Sequence, residues 1–109
     1  MTVSEFSEKY AIKSIVMADG DREITGGYVG DLLSWVMGRA QADSAWITIM
    51  SNINIAAVAA LTDVSCIILA EGVTLEDKVI DVARDKGINL LGSEHTAYEL
   101  AGMLYRELS

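Results

Sequence analysis

The run Val64-Ser65-Cys66-Ile67-Ile68-Leu69-Ala70 (VSCIILA, residues 64–70) decides the architecture. Apart from Ser65 every position is apolar. A continuous run of this kind, without alternation, is how a strand reads when both of its faces are buried, as in the middle of a parallel sheet. The acidic, glycine-containing stretch EGVT (71–74) closes it. Beyond it Leu75, Val79, Val82 and Ala83 recur at helical spacing, with Thr74 as the expected N-cap and Gly87 where a left-handed C-terminal residue is wanted. Upstream, AWITIM (45–50) reads as a strand, SNIN (51–54) as a loop, and IAAVAAL (55–61) as a helix that is apolar all round. Such a helix asks for cover on more than one side, from the sheet and from a neighbouring helix or a second subunit. Downstream, INLLG (88–92) reads as the last strand, and SEHT (93–96) opens a final helix. Thr96 and Glu99 have capping-box spacing there, and the apolar stripe runs through Ala97, Leu100, Ala101, Leu104, Tyr105 and Leu108.

Three strand–loop–helix units therefore begin near residues 46, 65 and 88, and loops this short force a parallel sheet with right-handed crossovers. Ahead of them, Thr2 and Glu5 form another capping-box pair, which predicts a short helix over about 3–10. IKSIVM (12–17) follows as a strand and ADGD (18–21) as a turn. REITGGYVG (22–30) holds three glycines, of which Gly26 and Gly27 are expected to adopt positive φ or to let another backbone approach. From Asp31, placed as an N-cap, Leu32, Leu33, Val36, Met37 and Ala40 trace one side of a helix. The expected fold is α/β: a single three-layer Rossmann-like domain over residues 1–109, with a mainly parallel sheet of four to five strands. The N-terminal helix falls within 1–11 and the α/β core within 12–109. The chain has no proline, so its sheet edges lack one common protection against pairing, which favours cover by the N-terminal segment or by a partner.

With 109 residues, 51% of them hydrophobic and 22% charged, the chain suits one core-rich domain, and composition excludes disordered and fibrous classes. Eight basic against 16 acidic residues give a net charge of −8. The excess of acid spans both halves, so no basic face is expected for nucleic acid or for anionic lipid. Residues 44–62 carry no charge, but the polar SNIN cluster falls near their middle, which argues against a membrane span. One cysteine allows no internal disulfide, and MTVSEFSEKY lacks the basic start and apolar core of a signal peptide. The expected location is cytoplasmic.

Ligands of open parallel sheets collect beyond the carboxyl ends of the strands, which predicts that SNIN, EGVT and SEHT lie along one rim, each leading into a helix N-terminus. Asn54, Thr74 and Thr96 read as helix caps, leaving Ser51, Asn52, Ser93 and His95 as candidate binding residues. His95 stands beside Glu94 as the only imidazole, and without a second histidine or a thiolate cluster it lacks metal-site spacing. No metal and no cofactor are expected. Ser51 and Ser93 lie in no G-x-S-x-G elbow, Cys66 sits within an apolar strand as core, and neither a P-loop nor a G-x-G-x-x-G fingerprint occurs. Trp35 and Trp46 read as core or interface.

Asp21, Arg22, Thr25, Gly26 and Gly27, with Glu23 and Ile24 between the second and third, followed by YVGDLLSWVM and AWITIMSNINIAAVAAL, make residues 12–109 resemble the DRTGG domain family. The resemblance implies a parallel α/β domain similar to the N-terminal domain of HPr kinase/phosphorylase, with no catalytic machinery of its own. Family members are fused to CBS nucleotide-sensing pairs in regulated pyrophosphatases, or stand beside phosphotransacetylase or P-loop modules. It further implies a regulatory or assembly role, with the TGG region and the neighbouring helix in a homodimer contact. The partner expected is an enzyme or a CBS- or kinase-type module, and the sensed ligand a small phosphorylated or nucleotide-like molecule. Thr25, Gly26 and Gly27 join Ser51, Asn52, Ser93 and His95 in the expected binding set.

Overall fold

Alternate residues of the central strands enter two different cores. The computed structural model describes residues 1–109. It contains α1 (Val3–Lys9), β1 (Lys13–Val16), β2 (Gly26–Val29), α2 (Leu33–Arg39), β3 (Ser44–Thr48), α3 (Ile55–Thr62), β4 (Cys66–Leu69), α4 (Asp77–Asp85), β5 (Leu90–Gly92) and α5 (Ala97–Leu108). β3 and β4 are buried at every position, as the unbroken apolar reading of 64–70 requires. Trp46, Ile67, Leu69 and Leu90 pack with Val36 of α2, Ile55, Val58 and Ala59 of α3, and Val79 and Ala83 of α4. Ala45, Ile47, Cys66, Ile68 and Leu91 face the other way, against Val3 and Phe6 of α1 and Leu100 and Leu104 of α5. The molecule is thus three-layered, with three helices on one face of the sheet and two on the other. No helix is long and apolar enough to cross a membrane.

The sheet order is β1-β5-β4-β3-β2. β2, β3, β4 and β5 are parallel, in registers that pair Tyr28 with Trp46, Trp46 with Ile67 and Ile67 with Leu90. β1 closes one edge antiparallel to β5, pairing Lys13 with Gly92. The other edge strand, β2, has no partner strand on its outer side, and the N-terminal segment reaches only the residues ahead of it, where Thr2 bridges Glu23.

Both capping boxes form: Thr2 Oγ1 accepts from the Glu5 amide at 3.1 Å and Thr96 Oγ1 from the Glu99 amide at 3.1 Å, with the glutamates returning to the cap amides. Gly87 takes φ +70° as expected. Three other local expectations fail. Asp31 does not cap α2, whose N-cap is Leu32 without a side-chain bond. Its carboxylate instead accepts from Thr48 Oγ1 at 2.8 Å and from the Ile49 amide at 2.9 Å, tying the loop after β2 to the end of β3. Thr74 does not cap α4, which begins at Asp77 after an extended Glu76. Asn54 stands at the N-cap of α3 in helical conformation with no capping bond. In α3 itself the expected all-round cover is partial: Ile55, Ala56, Val58 and Ala59 are buried while Leu61 is 73% exposed.

Gly26 and Gly27 are strand residues, and neither has positive φ. Their lack of a side chain serves a close approach. A Cβ on Gly27 would lie 2.6 Å from Cδ2 of Leu104, and one on Gly26 would lie 3.3 Å from Oγ of Ser44. α5 therefore lies directly on β2. Replacing Gly27 with valine forces the buried Leu104 to move and should cost about 1–3 kcal/mol by overpacking. Gly38→Ala, in a helix position with nothing within 4 Å, should be neutral or stabilising. Urea unfolding of the two variants measures both effects.

Candidate functional site

The two ends of the sheet are built differently. At the amino end Arg22 reaches across the starts of two strands. Its Nη2 donates to Oδ1 of Asp43 at 3.0 Å, to Oδ1 of Asp63 at 2.8 Å and to the Asp63 carbonyl. Burial works against the guanidinium charge, yet the hydrogen bonds to Asp43 and Asp63 outweigh it and raise its pKa. Asp43 and Asp63 are themselves left-handed, at φ 64° and 58°, just ahead of β3 and β4. The Asp43 amide donates to the Asp63 carbonyl, and the Thr25 amide to the Asp43 carbonyl, at 2.9 and 2.8 Å. Nearby, buried Asn89 donates to the Asp19 and Ser65 carbonyls at 2.7 and 3.0 Å, and the Ser65 hydroxyl donates to the Glu23 carbonyl. Arg22 and Thr25 thus fasten the sheet's amino end, and Asp21 is exposed in the turn before them. Arg22 lies at the opposite end from the strand-end loops and lends them no charge.

The carboxyl end is open, because the chain leaves it in two directions. β4 leads to α4 on one face and its neighbour β5 leads to α5 on the other, and a crevice lies where their two loops meet the start of β1. The crevice has a volume of about 530 Å³, and its walls come from the start of β1 (Lys13, Ile15), the loop after β4 and α4 (Gly72, Thr74, Leu75, Ile80), and the loop after β5 (Ser93, Glu94, His95). Its rim is stitched: the Glu71 amide donates to the His95 carbonyl and the Gly72 amide to the Ser93 carbonyl, both at 2.8 Å. Ser93 Oγ accepts from the His95 amide at 2.9 Å, which holds the tight turn into α5. Glu71 and Gly72 are both left-handed, φ 62° and 71°; for a glutamate this is a strained conformation held by the surrounding bonds. The imidazole of His95 stands 3.8 Å from Glu99.

The seven residues read as a binding set occupy three places. Ser93 and His95 line the crevice. Ser51 and Asn52 are exposed in the loop after β3, where Asn52 Oδ1 accepts from the Asn54 amide at 2.8 Å in a self-contained turn. Thr25, Gly26 and Gly27 line a groove of about 390 Å³ between β2 and α5, with Val29, Leu104, Tyr105 and Leu108. The sequence reading missed Lys13, whose place beside the loops follows from β1 pairing antiparallel with β5 and bringing its first residue to their carboxyl end. Cys66 is fully buried, and burial pushes its thiol up to about 12. Because burial raises that pKa, Cys66 stays a neutral thiol through physiological pH; its contribution to stability is fully present below the unfolded value of about 8.5 and is lost as pH rises from there towards about 12. Ellman's reagent should therefore label Cys66 only as fast as the chain unfolds, and rapid labelling of the native protein at pH 8 would contradict this. A second outcome concerns Arg22: leucine there should cost about 1–3 kcal/mol in urea unfolding by stripping charged hydrogen bonds, with lysine restoring only part.

No family model and no curated protein matches the chain. Among solved structures, the fold is similar to that of the CBS and DRTGG domains of the regulatory region of Clostridium perfringens pyrophosphatase, determined with its activator diadenosine tetraphosphate. The TM-score is 0.73 at 13% sequence identity, over 94% of this chain and 45% of that one. This chain thus spans less than half the length of the structure it matches. At that identity the likeness is one of fold.

Proposed function

We propose that this chain is a regulatory module of the DRTGG kind, without a reaction of its own, that acts as a homodimer. In this reading it reports a small phosphorylated or nucleotide-like ligand to an enzyme, or to a CBS- or kinase-type module, with which it associates. Two observations support the family reading: the fold shared with the pyrophosphatase regulatory region, and the placement of Arg22 against Asp43 and Asp63 ahead of β3 and β4, with Thr25, Gly26 and Gly27 packed along β3 and under α5.

The observation that carries the dimer is an apolar surface along the bare β2 edge. Val29, Leu32 and Trp35 are 51%, 59% and 52% exposed, and Ile49 and Ile53 are close to half exposed. The hydrogen bonds from Gly30 to the Ile47 carbonyl and from Ile49 to Asp31 hold these segments side by side. Its few charges are engaged: the Asp31 carboxylate is taken by Thr48 and Ile49, and the Arg39 guanidinium stacks 3.8 Å over the Trp35 ring. In a molecule of net charge −8, this is a surface that two copies can bring together without opposing their carboxylates. The β2 edge next to it offers unpaired backbone groups to a second β2.

Sedimentation equilibrium at micromolar concentration should give twice the chain mass of 11.7 kDa, and Leu32→Asp combined with Trp35→Glu should give the monomer with little change in melting temperature. A wild-type monomer at that concentration would remove the dimer from this account.

A further inference from the structure

Resting on the reading of this chain as a ligand sensor, we propose that the crevice at the carboxyl ends of β4 and β5 is its binding site and that its ligand is a nucleoside monophosphate. Three features of its walls carry the inference. Lys13 supplies a cation to the walls; Lys9, Lys78, Arg22 and Arg84 are ion-paired with carboxylates, and of the cations without such a partner, Lys13, Arg39, Lys86 and Arg106, only Lys13 lines the crevice. In a chain of net charge −8, an ammonium without a carboxylate partner in the wall of a crevice gives a phosphate a favourable contact against an otherwise repelling background.

The second feature is the Glu94 carboxylate. It lies against the backbone of Gly72, so close that a Cβ on Gly72 would collide with it, and it makes no hydrogen bond within the protein. A free carboxylate at this place can accept from vicinal hydroxyls, the recognition a ribose offers. The third is the apolar wall of Ile15, Leu75 and Ile80, which suits the faces of a base and gives nothing to a free phosphate. A volume of about 530 Å³ is of the right order for all three parts together. The site is also preformed, since the two loops are already joined by the Glu71–His95 and Gly72–Ser93 backbone bonds and Glu71 is held in its strained conformation.

The test is a titration of the ¹⁵N-labelled 109-residue chain with AMP, adenosine and inorganic phosphate, read by amide chemical shifts. AMP should move the amides of 72–75 and 93–95 and leave 51–54 and 25–27 unmoved. Adenosine and phosphate should each bind at least about tenfold more weakly than AMP. Lys13→Gln should weaken AMP about fivefold or more while leaving adenosine unchanged, and Glu94→Gln should weaken adenosine and AMP alike; both changes are on exposed groups, and a thermal melt confirms the fold. No shifts at millimolar AMP, shifts centred on the β3 loop or the β2–α5 groove, an unaltered Lys13→Gln affinity, or phosphate binding as well as AMP would each overturn the site. A monomer that binds AMP in this pattern removes the dimer and keeps the site, whereas a dimer indifferent to AMP keeps the assembly and removes the site.

Discussion

The structure depends on the burial of β3 and β4 on both faces at once. Once Trp46, Ile67 and Leu69 face one way and Ile47, Cys66 and Ile68 the other, two separate layers of apolar side chain must be supplied, and 109 residues provide them economically only by crossover helices on one side and terminal helices on the other. α2, α3 and α4 follow from the successive parallel pairings and share a face. α5 must go to the opposite face, where Leu100 and Leu104 meet Ala45, Ile47 and Phe6. The change of face between α4 and α5 opens the crevice, so the candidate site is a product of the same burial constraint as the core.

The amino and carboxyl ends of the sheet then serve different purposes. At the amino end the charged and polar groups are mutually satisfied: Arg22 with Asp43 and Asp63, Asn89 with Asp19 and Ser65, Ser65 with Glu23. These bonds converge on residues far apart in sequence, so they fix the relative positions of β2, β3 and β4 where no helix covers them. The glycines finish the work, since only a bare backbone at Gly27 lets α5 settle on β2. At the carboxyl end Lys13 and Glu94 remain without protein partners, which is the condition of groups available to a ligand.

Much of this could be read from the amino-acid order. VSCIILA, the Thr2–Glu5 and Thr96–Glu99 pairs and the left-handed Gly87 are local patterns with local causes, and the structure contains each of them. The loops after β3, β4 and β5 were identifiable as strand ends for the same reason. What was not legible depends on contacts between distant segments. Asp31 and Thr74 have the residue types of caps, but tertiary hydrogen bonds at Thr48 and Ile49 engage the first, and an extended stretch to Glu76 separates the second from α4. The strand at Gly26–Val29 was hidden because glycine has low strand propensity; it forms through pairing with β3 and packing under α5. Lys13 carried no local pattern at all, since its approach to the strand-end loops exists only through the antiparallel pairing of β1 with β5.

The central claim is that self-association and ligand recognition occupy opposite edges of one sheet, the first along β2 and α2, the second where β1 and β5 meet α4. Hydrogen–deuterium exchange resolved by peptide tests both at once. Raising the protein from nanomolar to tens of micromolar should slow exchange in residues 26–37 and 49–53 and leave 71–76 unaffected; AMP at fixed protein concentration should do the reverse, protecting 71–76 and 93–98. Concentration-dependent protection over 71–76 and 93–98, or protection by AMP over 26–37, would contradict it.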